Sequence, residues 1–164
     1  FLSAQTPISK EYQIKAVFLF NFVQFVQWPA DTFTAPDEPF CIGILGDDPF
    51  GDFMDKTIEG EKINGHPLII RRYTAVEEVQ DCQILFISSS ETPKMAGILD
   101  TLKTRSILTV SDADDFIKNG GIIRFFTEDN KIHLRINLEA AKSVNLTISS
   151  EVLRLSNIVD LGKE

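Results

Sequence analysis

The chain has 164 residues, of which 43% are hydrophobic and 24% are charged, and its 16 basic and 24 acidic residues give a formal net charge of −8. This length suits a single domain with a buried core, so residues 1–164 are predicted as one domain with residues 1–8 as a flexible tail. The longest basic run is Arg71-Arg72. The chain therefore lacks the basic surface of a nucleic-acid binder, and the same deficit argues against docking on anionic lipids.

An uncharged, aromatic-rich segment runs from Ala16 to Ala30. A membrane span needs about 20 mostly apolar residues, and three amides interrupt this segment sooner, so membrane insertion is not expected. Ser9 is a plausible N-cap and Pro29 bars continuation, which predicts a helix that ends near Gln27 or Trp28.

This first helix is predicted to have a narrow polar stripe and an unusually wide apolar side. One interpretation is that the apolar side lies between a sheet and another element of the same chain, and the other is that part of its aromatic surface contacts a second chain. The two interpretations are compatible. Phe18, on the stripe, is expected to be more exposed than Phe20, Phe22 or Phe25. The stripe comprises Tyr12, Lys15, Phe18, Asn21, Gln24 and Gln27, and the apolar side comprises Ile14, Val17, Leu19, Phe20, Phe22, Val23, Phe25 and Val26.

Four short apolar runs then alternate with helical segments. Such alternation predicts an α/β fold with a mostly parallel, Rossmann-like sheet between two helical layers. The strands are predicted at 40–46, 67–72, 82–87 and 106–110, and the helical segments at 51–58, 74–79, 93–103 and 112–118.

The C-terminal part follows another pattern. Residues 121–126 and 131–136 flank Thr127-Glu128-Asp129-Asn130, which predicts an antiparallel hairpin at one edge of the sheet. A short helix is predicted from Asn137 to Ser143. A last helix is predicted from Ser149, with an apolar side formed by Val152, Leu153, Leu155, Ile158 and Val159.

Five segments, read in order, resemble one family. They are FNFVQFVQWP, CIGILGDDPFG, CQILFISSS, SILTVSDADDFIKNGGIIRFF and INLEAAKSVNLTISSEVLRLSNIV, and together they extend from about Glu11 to Val159. In this order the chain resembles the YfiR-like family of small exported proteins. The resemblance implies a periplasmic, Rossmann-like domain that regulates an inner-membrane signalling protein and forms a homodimer. The best-known members hold a diguanylate cyclase inactive by binding its periplasmic part, while other members sit in differently wired systems, so a sensor kinase is an alternative partner.

Export agrees only weakly with the first residues. The chain begins at Phe1, and Leu2-Ser3-Ala4 is a mediocre match to the end of a signal-peptide cleavage site. We expect an exported chain from which the signal peptide has been removed.

The glycines and acidic residues after the first strand do not form a known catalytic motif. Gly43, Gly46 and Gly51 lack the G-x-G-x-x-G spacing of a dinucleotide site and the Lys-Ser/Thr of a P-loop. Asp47-Asp48 is similar to the acid pair of a phospho-receiver, but Ser88-Ser89-Ser90 stands where a receiver needs its phosphorylated Asp. Asp47 or Asp48 is therefore expected to cap the next helix.

The sequence also contains no motif for a metal site or for a catalytic serine nucleophile. His66 and His133 have no neighbouring ligand at metal-binding spacing, and no serine lies in a G-x-S-x-G elbow. The sequence therefore predicts a protein that is not an enzyme, without a metal or cofactor.

Two candidate binding surfaces remain. Ligands of open α/β sheets bind beyond the carboxyl ends of the strands, so a small polar ligand is expected at a rim, while caps and turns are the alternative role of these residues. A partner is expected on the first helix. The rim residues are Gly46, Asp47, Ser88, Ser89, Ser111 and Asp112, and the partner residues are Phe18, Asn21, Phe25 and Trp28.

The two cysteines complete the predictions. Cys41 opens the first strand and Cys82 opens the third, and these strands are parallel neighbours in the common 2-1-3 order. Adjacent strands lie about 4.7–4.9 Å apart, a spacing that a disulfide tolerates. An oxidising compartment thus favours a Cys41–Cys82 bridge, with two buried free thiols as the alternative.

Overall fold

A computed structural model of the chain describes residues 8–154 and 157–158. Most of the predicted N-terminal tail, residues 1–7, lies outside the described residues. Ile8 packs against the core and is half-buried.

Ten strands and five α-helices form the described part of the chain. The helices are α1 (Lys10–Phe25), α2 (Asp52–Ile58), α3 (Met95–Leu102), α4 (Leu138–Ser143) and α5 (Ser150–Arg154). The strands are β1 (Val26–Gln27), β2 (Phe40–Leu45), β3 (Lys62–Ile63), β4 (His66–Tyr73), β5 (Ile84–Ile87), β6 (Leu108–Ser111), β7 (Ile123–Glu128), β8 (Lys131–Ile136), β9 (Thr147–Ile148) and β10 (Asn157–Ile158). Short 3-10 helices lie at Val76–Glu78 and Ser89–Lys94.

The central sheet has eight strands in the order β10-β8-β7-β6-β5-β2-β4-β3. Strands β4, β2, β5, β6 and β7 are parallel, and β7 and β8 form the predicted antiparallel hairpin. The hairpin turn contains Asp129 and Asn130 at φ 53° and 61°, the left-handed backbone that a two-residue turn requires. The predicted fold class, a mostly parallel α/β sheet with an antiparallel hairpin, is confirmed.

Each face of the sheet supports its own hydrophobic core. Residues of α1, α2, α4 and α5 pack on one face with Phe86 and Phe125, and α3 packs on the other face with Phe116 and both cysteines. The strands β2, β5 and β6 are buried at every position, because both of their faces are covered. This arrangement confirms the three layers predicted from the continuous apolar runs.

Helix α1 ends earlier than predicted. Ser9 is the N-cap and accepts a hydrogen bond from the Tyr12 backbone N–H at 3.3 Å, as expected. At the other end Val26 and Gln27 become extended, because they pair with Ile148 and Thr147 in a small antiparallel ladder. A partner strand from the C-terminal region, which the local sequence does not reveal, therefore sets the end of the helix.

The predicted polar stripe of α1 is wrong at several positions. Lys15 is only 2% exposed, whereas Ile14 and Val17, both assigned to the buried side, are 39% and 44% exposed. The helix is rotated about its axis relative to the predicted orientation, because the ammonium group of Lys15 forms an ion pair with Asp112, just after β6. The outward face consequently contains Ile14, Val17, Asn21 and Gln24.

Two other predicted helices differ from the structure. Residues 112–118, predicted as helical, form turns in which Asp115 has φ 62°, a left-handed conformation that interrupts a helix. The predicted last helix is α5, and Ile158 lies in β10, which pairs in parallel with β8. Asn157 and Ile158, which the apolar periodicity assigned to a helix, thus pair with the edge strand β8 as a further strand of the sheet. Leu155 and Val159 lie outside the described residues.

Candidate functional site

The carboxyl ends of β2, β4 and β5 are joined by hydrogen bonds from the predicted rim. The Gly46 N–H donates to the Tyr73 carbonyl at 3.1 Å, and the Ser88 N–H donates to the Leu45 carbonyl at 2.9 Å. The Asp47 N–H donates to Ser90 Oγ at 3.0 Å. The structure therefore brings the ends of these strands together, and it engages the backbone amides of Gly46, Asp47 and Ser88 within the chain.

Two rim serines are also engaged within the chain. Ser111 Oγ is fully buried, donates to the Ile87 carbonyl at 2.6 Å and accepts from the Ala113 N–H at 3.1 Å. Ser88 is buried as well, and its hydroxyl accepts from the Ser90 N–H at 3.3 Å as the N-cap of a 3-10 helix. Both hydroxyls thus have the capping and turn roles that were the alternative to ligand binding.

Asp112 turns toward helix α1. Its Oδ2 accepts from Lys15 Nζ at 2.9 Å and from the Tyr12 hydroxyl at 2.5 Å, and Lys15 Nζ also donates to Glu11 Oε2 at 2.6 Å. Burial, and then the hydrogen bond to Asp112, raise the pKa of Tyr12 above its ordinary range. The Lys15 ammonium lies 4.4 Å from the Tyr12 ring centroid. This cluster, which we call the Lys15 cluster (Glu11, Tyr12, Lys15 and Asp112), anchors the start of α1 to the carboxyl end of β6.

The acid pair after β2 does not cap helix α2. The N-cap of α2 is Gly51, without a side-chain bond. Asp48 instead accepts from the Phe50 N–H at 2.8 Å and from Arg72 Nε at 2.8 Å, while Asp47 is exposed. Arg72 also bonds Asp55, which lowers the pKa of that carboxyl. Of the six predicted rim residues, only Asp47 and Ser89 are exposed to solvent.

The four predicted partner residues lie at different places. Phe18 is half-buried and lies 5.8 Å from the Phe125 ring, and Asn21 and Phe25 are half-buried along the helix. Phe18 is more exposed than Phe22, which is 1% exposed, but Phe20 and Phe25 are half-buried like Phe18. Trp28 lies beyond the helix, and its Nε1–H donates to the Gln83 carbonyl at 3.2 Å.

Exposed hydrophobic residues mark the outward face of α1. Among the described residues, Ile14 and Val17 are the large hydrophobic residues whose side chains are exposed. They lie one turn apart, next to Phe18 and Asn21. Sequence reasoning missed this pair because it assigned Lys15 to the surface, although a lone lysine inside an apolar helix was a signal of a buried ion pair.

The cysteines lie on the same face of the sheet as free, buried thiols. Strands β2 and β5 are neighbours, with Ile42 opposite Ile84, so the predicted strand pairing is confirmed. Interaction with the neighbouring Cys82 thiol lowers the pKa of Cys41, and the same interaction together with burial raises the pKa of Cys82. Cys41 also lines a cavity of about 200 Å³ beside Arg71. The disulfide stays a prediction, now with both side chains directed to one side.

Within residues 8–154 and 157–158, no helix has the length and apolar character needed to span a bilayer. The same residues contain no group of three or more His, Cys, Asp or Glu side chains placed to hold a metal ion.

The architecture places the chain among doubly wound, Rossmann-like α/β domains. Within that class it matches the YfiR/HmsC-like family over residues 12–157, which is most of its length, and it belongs to that family. The family is one of periplasmic regulatory proteins. No curated protein matches the chain.

Proposed function

We propose that this protein is a periplasmic regulator that controls an inner-membrane signalling protein by direct contact. The controlled protein is a diguanylate cyclase, or alternatively a sensor kinase, whose periplasmic part is bound by this chain. The protein performs no catalysis itself. Family membership supports the regulatory role.

The observation that supports a contact surface is the outward face of α1. Ile14 and Val17 are 39% and 44% exposed in the middle of a helix whose other side is packed on the sheet. Burying such side chains against another protein is worth about 25 cal/mol per Å² of apolar area removed from water. Half-buried Phe18 and Asn21 border the same surface and supply an aromatic edge and an amide.

The same face supports the proposed homodimer. A two-fold interface presents one surface to itself, and a helix face with an apolar centre and polar ends is suited to that geometry. The amide of Gln24 and the carboxylate of Glu11 lie near opposite ends of the face and are exposed. In this proposal the same face of α1 binds either a second copy of this chain or the signalling protein. The identity of the bound protein determines whether the signalling protein is controlled.

The test places a photo-crosslinking residue at Val17 and, as a control, at Ala96. Ala96 is exposed on α3, which packs on the opposite face of the sheet. Crosslinking in cells is followed by mass spectrometry of the captured protein, and cyclic di-GMP is measured in cells with and without the gene.

We expect position 17, and not position 96, to capture an inner-membrane protein with a periplasmic domain and a cytoplasmic cyclase or kinase domain. Loss of the gene should raise cyclic di-GMP if the partner is a cyclase. Capture of only other copies of this chain, together with an unchanged level of cyclic di-GMP, would contradict the control of a membrane protein. That result would support the homodimer alone.

A further inference from the structure

A second cavity lies at the end of the sheet opposite to the predicted rim. It has a volume of about 450 Å³ and opens beside Phe40 and His66, the first residues of β2 and β4. The C-terminal end of α1 and the connector that follows Pro29 form its other side. Ligand pockets in proteins occupy about 300–1,000 Å³, so this cavity has the size of a small-molecule site.

Aromatic rings held by specific contacts form the walls of the cavity. Trp28 packs edge-to-face on Phe40 with centroids 5.0 Å apart, and its Nε1–H is fixed by the Gln83 carbonyl. Phe33 stacks on His66 at 3.8 Å. His66 Nδ1 lies 2.6 Å from the Glu38 carbonyl, which places a proton on that nitrogen and directs Nε2 elsewhere. The walls are therefore prearranged apolar surfaces.

Three side-chain amides line the cavity without internal partners. Gln24, Gln27 and Asn64 are exposed to solvent, and their side chains make no hydrogen bond to any of the described residues. Asn64 sits at φ 51° in the turn between β3 and β4. Each amide has one acceptor oxygen and two donor hydrogens, so the three together retain both kinds of hydrogen-bonding capacity.

The charges around the cavity restrict the ligand. His66 is the only titratable side chain that lines it within the described residues, so it offers neither a carboxylate nor a lysine or arginine. The chain as a whole carries a net charge of −8, which repels anions at a distance. An ionised ligand would lose hydration without gaining a counter-charge, whereas a neutral ligand would not.

We propose that this cavity binds a neutral saccharide of one or two rings. Each sugar hydroxyl is both a donor and an acceptor, and neighbouring hydroxyls match the paired oxygen and NH₂ group of an amide. The C–H face of a sugar ring packs on aromatic side chains such as Trp28 and Phe33. This inference rests on the cavity and not on the regulatory partner, and Gln27 tests it separately from the proposed contact face, to which Gln24 also belongs.

The experiment uses the fluorescence of Trp28, since the chain contains one tryptophan. The full chain is titrated with glucose, N-acetylglucosamine and cellobiose, and protein-observed NMR with the same sugars is the second readout. Glucuronic acid tests charge, and adenosine tests a flat aromatic ligand. Gln24→Ala and Gln27→Ala are compared with Gln80→Ala, an exposed amide outside the cavity, and unchanged melting temperatures establish that each variant is folded.

We expect saturable binding of at least one neutral sugar and weaker or no binding of glucuronic acid. Loss of one amide should raise Kd about threefold to tenfold, and Gln80→Ala should leave Kd unchanged, because a hydrogen bond contributes about 0.5–1.5 kcal/mol net. The proposal is overturned if neither readout responds to any of the sugars. It is also overturned if adenosine binds and the sugars do not, or if Gln80→Ala weakens binding as much as the cavity variants.

Discussion

The polar residues at the two ends of the central sheet differ in their hydrogen bonding. At the carboxyl end Ser88, Ser111 and Asp112 bond to the protein's own backbone, to Lys15 and to Tyr12. At the amino end Gln24, Gln27 and Asn64 face a cavity with their hydrogen-bonding groups available. A polar residue at the predicted place is thus a weak indication of a binding site when the fold already uses its hydrogen-bonding groups.

Helix α1 connects the two ends. Near its start Tyr12 and Lys15 bond to Asp112 beyond β6, and shortly after its end Trp28 bonds to the Gln83 carbonyl before β5. The helix therefore runs antiparallel to these strands and is fastened at both ends. This geometry also holds Ile14 and Val17 outward between the two anchors.

The largest expected effect tests the structural role of the carboxyl end. Asp112→Ala removes the acceptor of two hydrogen bonds, from the buried Lys15 ammonium and from the Tyr12 hydroxyl. At about 1.5–3 kcal/mol for each bond to a charged group, the loss should cost about 3–5 kcal/mol of unfolding free energy. Asp114→Ala is the control, because Asp114 is 92% exposed in its ion pair with Arg124 and should contribute less than about 1 kcal/mol. Urea denaturation measures both. Similar losses in the two variants would show that the Lys15 cluster is not an anchor.

The second effect concerns the amino end of the central sheet, where the two cysteines lie on the face opposite to α1. Oxidation should form the Cys41–Cys82 bridge and add about 3–4 kcal/mol of stability, because it closes a loop of roughly forty residues. Denaturation with and without reductant measures the gain, and Cys41→Ser should remove it. Two alkylated thiols on a chain prepared without reductant would exclude the bridge. The bridge should raise stability because it lowers the conformational entropy of the unfolded chain.

A glycine at the carboxyl end provides a smaller effect. Gly46 has φ 94°, and an added Cβ would lie 2.7 Å from Ser90 Oγ and 2.8 Å from Glu91 Cγ. Gly46→Ala should therefore destabilise the protein by about 1–3 kcal/mol. Gly97→Ala, in α3 with open space around it, should instead stabilise by about 0.5–1 kcal/mol. Opposite signs in thermal denaturation would confirm that the rim glycine is a structural requirement.

The smallest effect is a pH dependence at the carboxyl end. The hydrogen bond from Arg72 lowers the pKa of Asp55 in the folded state, so this carboxylate stabilises the protein above the unfolded pKa of about 4. That contribution is lost as pH falls through the lowered folded pKa. Because both side chains are more than 40% exposed, we expect less than about 1 kcal/mol.

The control for this pH dependence is the neighbouring arginine. Arg72→Met should flatten the stability profile between about pH 5 and pH 2, and Arg71→Met should not, since Arg71 makes no ion pair within the described residues. Equal profiles for the two variants would assign the acid sensitivity to other carboxylates.

The strands were the most predictable part of the fold. Continuous apolar runs such as that of β2 occur because both faces of a parallel strand are covered, and each run was found as a strand within two residues of its predicted bounds. The cap of α1 was also readable, since Ser9 accepts the expected backbone bond, whereas the predicted capping of α2 by Asp47 or Asp48 was wrong. These features depend on neighbours in sequence or on a pattern that recurs along one strand.

Features that depend on distant residues were mostly missed. The burial of Lys15 depends on Asp112, which is 97 residues away, and the end of α1 depends on Thr147 and Ile148. The cavity depends on the approach of His66 to Trp28 and Phe33, which lie in the connector between β1 and β2. No local periodicity carries that information.

The sequence by itself determined the α/β class, the strand positions, the hairpin and the family, because these follow from hydrophobic patterning, turn residues and the order of segments. The tertiary structure decided which face of α1 meets solvent and which polar groups keep their hydrogen-bonding capacity. The physical reason is that a buried polar group must find a partner, and the partner is chosen by what the fold brings within about 3 Å, not by proximity along the chain.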